Sequence, residues 1–172
     1  MQNPMYVSIE AETRGLLTNG CNTEASIGVS AQTPYSDEST VKGYSHNITI
    51  PRDPLSGQPS GQRIHSPFVI TKLLDKSSPL LMGALVDGEK LRRVTLRKYR
   101  TGSDGKLELF YTITLEDAIV LDINPDAPHT FGELEKDVAP LEHVSFSYRK
   151  IIWNHVLAGT EAEDDWRLGV GA

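Results

Sequence analysis

The side chains that could support catalysis or metal binding are the histidines, one cysteine and neighbouring carboxylates. No second cysteine accompanies Cys21 to complete a structural zinc site, and the histidines lack the close spacing of a zinc motif. Ser45 and His46 are adjacent, but neighbours on a strand point to opposite faces, so they do not form a nucleophile and base. Carboxylate pairs such as Asp164 and Asp165 usually decorate a solvated face, and a triad assembled through space stays an open alternative. The histidines are His46, His65, His129, His143 and His155.

The phosphate-binding motifs GxGxxG and GxxxxGK[ST] are both absent from the sequence, which disfavours a nucleotide enzyme. Taken with the scattered histidines, this pattern favours a protein without catalytic residues, cofactor or metal. We therefore expect a protein that is not an enzyme.

Composition indicates an ordinary globular chain. Its 172 residues suit one domain, with 38% hydrophobic and 23% charged residues. The formal net charge of −6 repels phosphate backbones and anionic lipid, so neither nucleic acid nor membrane is an expected partner. The N-terminal segment MQNPMYVSIEAETR lacks a basic region followed by an apolar stretch. We expect a cytoplasmic protein whose export, if any, proceeds without a cleaved signal peptide.

Alternation of apolar and polar residues predicts a mainly β fold. The clearest strand begins at Leu107 and places Leu109, Tyr111, Ile113 and Leu115 on one face. An Asp-Gly step at 104–105 predicts a tight hairpin between it and the preceding strand. Together the strands are enough for a sandwich or a barrel. The predicted strands are 6–11, 44–50, 64–73, 91–100, 107–115, 118–123 and 144–157.

One segment breaks the β pattern and predicts a short helix over 79–87. Ser78 is a natural N-cap, Pro79 suits the first helical position, and Gly88 suits the C-terminal stop. The helix should cover an open face or end of the β core through an apolar stripe. The stripe consists of Leu81, Ala84 and Leu85.

Basic residues cluster in the segment 90–100 of an otherwise acidic chain. One interpretation is a solvated strand face whose charges prevent edge-to-edge aggregation. The other is complementarity between subunits, with the acidic regions 133–137 or 161–165 of a neighbour as partner. The sequence leaves both open.

Three segments are predicted to lie outside the β core. The loop 51–62 holds three prolines and two glycines and is long for a hairpin connection. The stretch 124–140 is acidic and interrupted by prolines, and the acidic tail 161–172 should fray at its end, with Trp166 as an anchor.

Four strings resemble the haemolysin-coregulated protein (Hcp) family, the tube proteins of bacterial type VI secretion systems, and they occur in the family's order. The resemblance extends from about residue 6 to about residue 167 and is weakest over 124–140. The strings are TIPRDPLSGQPSGQRIHSPF, LDKSSPLL, RKYRTGSDGKLELFYTITL and SFSYRKIIWNHVLAGT.

The resemblance implies one tube domain over 1–172, built as a β-barrel or sandwich of two antiparallel sheets with one short flanking α-helix. It further implies a hexameric ring, with rings stacked into a tube that sheath contraction expels. The implied partners are further copies of the chain, a VgrG-type spike protein, contractile sheath and baseplate proteins, and small effector proteins carried in the lumen. The protein would then reach the extracellular space or a target cell.

In such an assembly we expect the loop 51–62 to contact a neighbouring protomer or the adjacent ring. Its prolines limit backbone freedom, so ordering it at an interface costs less entropy than ordering a flexible loop. It offers hydrogen bonds but little apolar area, and should add little to the protomer's own core. The interface residues we predict are Arg52, Asp53, Pro54, Leu55, Gln58 and Gln62.

Two alternatives compete with this interpretation. A monomeric carbohydrate-binding or hydrolytic β-sandwich would use exposed aromatic residues such as Tyr35, Tyr44 and Trp166 to stack on sugars. A phage tail-tube-like protein would share the ring but not the secretion context.

Overall fold

The computed structural model describes residues 3–127 and 139–166. Within them the chain forms eleven strands, two α-helices and two single 3₁₀ turns. The strands are β1 Met5–Ala11, β2 Gly15–Leu16, β3 Ser39–Ser45, β4 Ile48–Thr49, β5 Ile64–His65, β6 Phe68–Leu73, β7 Lys90–Thr101, β8 Leu107–Asp126, β9 Leu141–Ser147, β10 Lys150–His155 and β11 Thr160–Asp165. The helices are α1 Glu24–Ile27 and α2 Ser78–Asp87, and the 3₁₀ turns are Gly28–Ser30 and Thr33–Tyr35.

Six strands close into an antiparallel barrel in the order β8-β7-β1-β3-β6-β9, with β9 pairing back onto β8. The hairpin β10–β11 extends the same sheet from the first half of β8, and β2 pairs with β1. A separate two-stranded sheet consists of β4 and β5. The predicted fold class, mainly β with two antiparallel sheets and a short flanking helix, is confirmed.

Strand β8 pairs with β7 along one edge and with two strands in succession along the other. Residues 111–116 pair with β10, and residues 119–126 pair with β9. Asp117 has a φ of 49°, in the left-handed region, which aspartate tolerates better than most residues. Across Asp117 the buried positions change from the odd-numbered Ile113 and Leu115 to the even-numbered Ala118 and Val120. One long strand therefore contributes to the core on both sides of Asp117.

The core fills the barrel and continues beneath α2. Fully buried side chains from β1, β6, β8 and β9 include Ile9, Ile70, Leu115 and Phe146, and burying each contributes roughly 1.5–3 kcal/mol. In α2, Leu81 and Ala84 are buried and Leu85 packs against the core. The predicted apolar stripe is thus the face that covers the barrel.

Helix α2 was predicted almost to the residue, but its N-cap was not. The cap residue is Ser77, and Ser78 lies inside the helix, where its hydroxyl donates to Glu142 at 2.8 Å. Gly88 ends the helix in the left-handed region, at a φ of 64°, as predicted. The short helix α1 and the two 3₁₀ turns that follow it were not predicted.

Several strand boundaries were wrong for identifiable reasons. Strand 44–50 starts earlier and ends at Ser45, because Asn47 bonds to Ser66 and the chain leaves the barrel there. The predicted strand 64–73 is interrupted at Pro67, which has no N–H to donate. The predicted strand 144–157 is two strands, β9 and β10, separated where Arg149 N–H bonds to Glu116.

The acidic tail 161–172 was expected to fray, but its first part belongs to β11, which pairs with β10. Its run of carboxylates is typical of a solvated tail. Charged side chains also occur on edge strands, where they prevent unwanted pairing with other strands. Residues 167–172 lie outside the described residues. Of the stretch 124–140, residues 124–126 continue β8, and 128–138 lie outside the described residues.

Candidate assembly interface

Residues 48–65 leave the barrel as a single projection, which we call the arm. Its base is the two-stranded sheet, with Ile48 opposite His65 and Thr49 opposite Ile64. Beyond the base, a β-bridge joins Arg52 to Pro59. The loop 51–62 is therefore the outer part of a hairpin.

The tip of the arm is ordered by its own hydrogen bonds. The Asp53 carboxylate accepts from the backbone N–H groups of Leu55, at 2.7 Å, and Ser56, at 3.1 Å. These donors stabilise the charged carboxylate and lower the pKa of Asp53. The Asp53 N–H donates to the Gln58 carbonyl at 2.8 Å, and the Arg52 guanidinium donates to the Gly57 carbonyl at 3.1 Å. Bonds within the tip thus stabilise its shape.

Residues 52–62 are all exposed. Leu55 is 99% exposed at the tip, although leucine is a residue type that usually becomes buried. The structure brings Arg52, Asp53 and Gln58 together at the tip and leaves Gln62 near the base. The assignment of these residues to a subunit interface stays a prediction.

An ion pair joins the base of the arm to β11. The Arg63 guanidinium donates to both carboxylate oxygens of Asp164, at 2.6 and 2.8 Å, and to the Asp165 carbonyl at 3.0 Å. This bidentate geometry fixes the relative orientation of the guanidinium and the carboxylate as well as their distance. Arg63 is the main reason that the pKa of Asp164 is lowered.

A hydrogen-bonded chain reinforces the same junction. His65 Nε2 lies 2.7 Å from Asp164, and its Nδ1 lies 2.5 Å from the Tyr148 hydroxyl. His46 Nε2 lies 2.8 Å from the same hydroxyl. One set of neutral tautomers satisfies the whole chain: His46 donates to Tyr148, Tyr148 to His65, and His65 to Asp164. The base of the arm is therefore bonded to β11, to the β9–β10 junction and to the end of β3.

Burial shifts the pKa values of two groups in this chain. It raises the pKa of Tyr148, with the negative charge of Asp164 adding to the effect. It lowers the pKa of His46, and the neighbouring His65 lowers it further. Although aspartate, histidine and a hydroxyl follow one another as in a catalytic triad, a tyrosine with a raised pKa is a poor nucleophile. The arrangement is suited to holding elements together.

Sequence reasoning missed this junction. Its members are separated by up to about a hundred positions, with Arg63 and Asp164 101 residues apart. The doublet Asp164–Asp165 was read as surface decoration, and His46 and His65 as isolated residues. No local spacing could have found a contact that depends on how the barrel closes.

An open cavity of about 510 Å³ lies beside the base of the arm. Its walls include Gln62, Arg63, Leu121 and Trp166. The Trp166 indole N–H donates to the Tyr148 carbonyl, so this residue anchors the end of β11 as the sequence predicted. Among the described residues, no group of three or more His, Cys, Asp or Glu side chains is arranged to hold a metal ion.

The basic segment 90–100 forms strand β7, which is paired on both sides and is not an edge. The interpretation of its charges as edge protection was therefore wrong. Arg97 bonds to Glu38 at 2.9 Å and Arg100 to Glu108 at 2.9 Å within the same protomer. The Lys98 ammonium lies over the rings of Tyr44 and Tyr111, 5.0 and 5.7 Å from their centroids.

The aromatic residues considered for sugar stacking have other contacts. Tyr35 stacks on Tyr6 with ring centroids 4.2 Å apart, and Tyr44 stacks on Phe68 at 5.6 Å.

In the part of the chain that the structure covers, no helix has the length and apolar character needed to cross a membrane.

Comparison with known proteins gives a consistent result. Residues 13–155 match the family model described as "Type VI secretion system effector, Hcp". The "Major exported protein" of Pseudomonas aeruginosa strain PAO1 is 47% identical over 170 residues, covering 99% of both chains. A crystal structure of an Hcp protein shares 45% identity with a TM-score of 0.93, covering 98% of this chain and all of that one. The secreted protein Hcp3 from Pseudomonas aeruginosa shares 41% identity with a TM-score of 0.80, covering 97% of this chain and all of that one.

Proposed function

We propose a structural function, starting from the fact that this chain belongs to the Hcp family of type VI secretion system proteins. The whole chain, 1–172, acts as one tube domain. Copies of it close into a hexameric ring, and rings stack into a tube that sheath contraction expels. The observation that carries this proposal is the match to an Hcp relative over 99% of the chain, joined to a fold that aligns with an Hcp crystal structure over 98% of the chain. The carbohydrate-binding and phage-tube alternatives are not favoured.

The arm is the part of the protomer best suited to contact a neighbour. It is ordered by internal bonds, it is exposed from 52 to 62, and it ends in an exposed leucine. A preordered segment loses less entropy on docking than a flexible one does. We therefore assign Arg52, Asp53, Pro54, Leu55, Gln58 and Gln62 to an interface with a neighbouring protomer or the adjacent ring.

The finer partners follow from the same assembly. A VgrG-type spike protein would cap the tube, sheath and baseplate proteins would surround it, and small effector proteins would travel in its lumen. The protomer would fold in the cytoplasm and leave without loss of a signal peptide. The name of the Pseudomonas relative, "Major exported protein", supports export, and intact-mass measurement of exported chain tests whether its N-terminus is retained.

Ring formation is tested by light scattering coupled to size exclusion, together with negative-stain imaging. The protomer mass is 19.0 kDa, and we expect a species of about six protomers that images as a torus. A strictly monomeric chain at tens of micromolar, with no rings on the grid, would contradict the tube assignment.

The role of the arm is tested by replacing Asp53–Gly61 with a short glycine-serine linker. Because these residues are exposed, we expect the barrel to keep its thermal stability while ring formation or stacking weakens. The matched control is a glycine-serine replacement of residues 103–105, in the exposed turn between β7 and β8. Parental assembly of the arm variant would show that the arm is a passive surface feature.

A further inference from the structure

We propose that Arg63, His65 and Asp164 form a clamp that sets the direction in which the arm leaves the barrel. This proposal rests on the proposed function of the arm as a docking element. The clamp residues would touch no neighbour themselves, and would act as positioning residues for assembly through the arm.

The clamp lies where the arm joins the barrel. Arg63 and His65 lie at the base of the arm, beside the two residue pairs of β4 and β5 that form its short sheet. At the base, β4 pairs with β5, and the bonds between Asn47 and Ser66 continue this pairing to the ends of β3 and β6. These bonds join the two strands of the arm to each other, so the angle between the arm and the barrel depends on other contacts. The bonds from Arg63 and His65 to Asp164 and Tyr148 run from the arm to the barrel sheet and do fix that angle.

The chemistry of the clamp suits an orienting role. The side chains are partly shielded from water, with 17% of Arg63, 8% of His65 and 25% of Asp164 exposed. An ion pair in such a site is screened less than one on an open surface. The planar fork of Arg63 on both carboxylate oxygens resists rotation, which a lysine ammonium would allow. His65 adds a second bond to one of those oxygens from another direction.

Loss of the clamp should have a defined consequence. The tip keeps its own hydrogen bonds, so the arm stays folded but samples more directions. Docking must then remove that added freedom, which weakens assembly without removing any contact at the interface. We expect the protomer concentration for half-assembly to rise roughly tenfold.

The test compares Asp164→Asn with Glu163→Gln, its neighbour in β11. Both remove one negative charge from the same strand, but Glu163 pairs with Lys150 at 3.1 Å, whereas Asp164 pairs with Arg63 and His65 of the arm. Arm direction is read from spin-label distances between Leu55→Cys and Val86→Cys, both exposed positions, at concentrations below assembly. Buried Cys21 can be retained because its thiol is shielded.

We expect Asp164→Asn to broaden the distance distribution and to weaken ring formation while far-UV circular dichroism stays unchanged. Glu163→Gln should change neither. Should Asp164→Asn fail to fold, Arg63→Lys provides the same comparison, because it keeps the charge and loses the fork. If both variants unfold, the clamp belongs to the barrel itself and the proposal is wrong.

The outcomes separate this proposal from the one on which it rests. If arm replacement weakens assembly and Asp164→Asn loosens the arm yet assembles normally, the clamp proposal alone is overturned. An unchanged distance distribution in Asp164→Asn overturns it as well. If arm replacement leaves assembly intact, the docking role of the arm fails, and the clamp proposal fails with it.

Discussion

Beneath the start of α2, a buried ionic network gives a sharp prediction about stability. Lys72 of β6 lies opposite Glu142 of β9, and both are fully buried. The Lys72 ammonium donates to Glu142 at 2.5 Å, to Asp75 at 3.1 Å and to the Leu73 carbonyl at 2.9 Å. The Ser78 hydroxyl donates to the same Glu142 oxygen at 2.8 Å. Removing the lysine leaves two buried carboxylates facing the space that its ammonium had filled.

We predict that Lys72→Met lowers the free energy of unfolding by about 3–5 kcal/mol, the cost of breaking a buried pair by removing one partner. Methionine fills a similar volume, so the loss is electrostatic rather than a cavity effect. For a domain whose total stability is roughly 5–15 kcal/mol, this is a large fraction. It corresponds to a fall of about 6–20 °C in the unfolding midpoint for a chain of this size.

The double variant Lys72→Met with Glu142→Gln should be less destabilised than the sum of the two single variants, by about 1–3 kcal/mol, because one of the two carboxylates left unpaired is then gone. The measurement is urea unfolding followed by circular dichroism at one fixed protomer concentration, since assembly adds to apparent stability. Glu108→Gln, in an exposed pair with Arg100, is the control and should cost less than about 1 kcal/mol. A Lys72→Met cost below that, or strict additivity of the two substitutions, would refute the reasoning.

Three further predictions follow from single residues. Burial lowers the pKa of His46 below the unfolded value of about 6.5. His46 therefore binds a proton more readily in the unfolded chain, and the free energy of unfolding should fall as the pH drops below about 6.5. His46→Gln should flatten this dependence in urea unfolding, and an unchanged slope would contradict it. Gly88→Ala should cost about 1 kcal/mol because the φ of Gly88 is 64°, while Gly43→Ala, with open space at its Cβ, should stay within about 0.5 kcal/mol of the parent in the same assay. Burial raises the pKa of Cys21 to about 11, so its reaction with a disulfide reagent at mildly alkaline pH should be at least about tenfold slower in the folded than in the urea-unfolded chain, and equal rates would contradict this.

The elements that the sequence predicted well are those encoded by neighbouring residues. Helix α2 carries its own start and stop in Pro79 and Gly88. The hairpin of β7 and β8 has an Asp-Gly step in its turn, and Gly105 has the positive φ that the step predicts. Each of these signals acts over a few residues, so no knowledge of the rest of the fold was needed.

Prediction failed where distant segments decide the outcome. Strand β11 looked like an acidic tail, because its apolar content is low and its stability comes from pairing with β10. Lys72 lay in a predicted strand, where nothing nearby distinguished it from a solvent-exposed polar residue. Its partner Glu142 is 70 positions away. The two predicted strands 107–115 and 118–123 are one strand, β8, whose first part pairs with β10 and whose second part pairs with β9.

The arm depends on both local and distant residues. Nearby residues set the shape of its tip, and distant residues set the direction in which it leaves the barrel. Its tip is locally encoded: Asp53, Gly57 and the prolines shape it through bonds that span a few residues. Its direction is not, since it depends on Asp164 and Tyr148, each some 80 to 100 positions away. Substitutions in the tip should therefore change what the arm contacts, whereas substitutions in β11 should change where the arm points. A variant of β11 can then disturb assembly without altering a single residue of the interface.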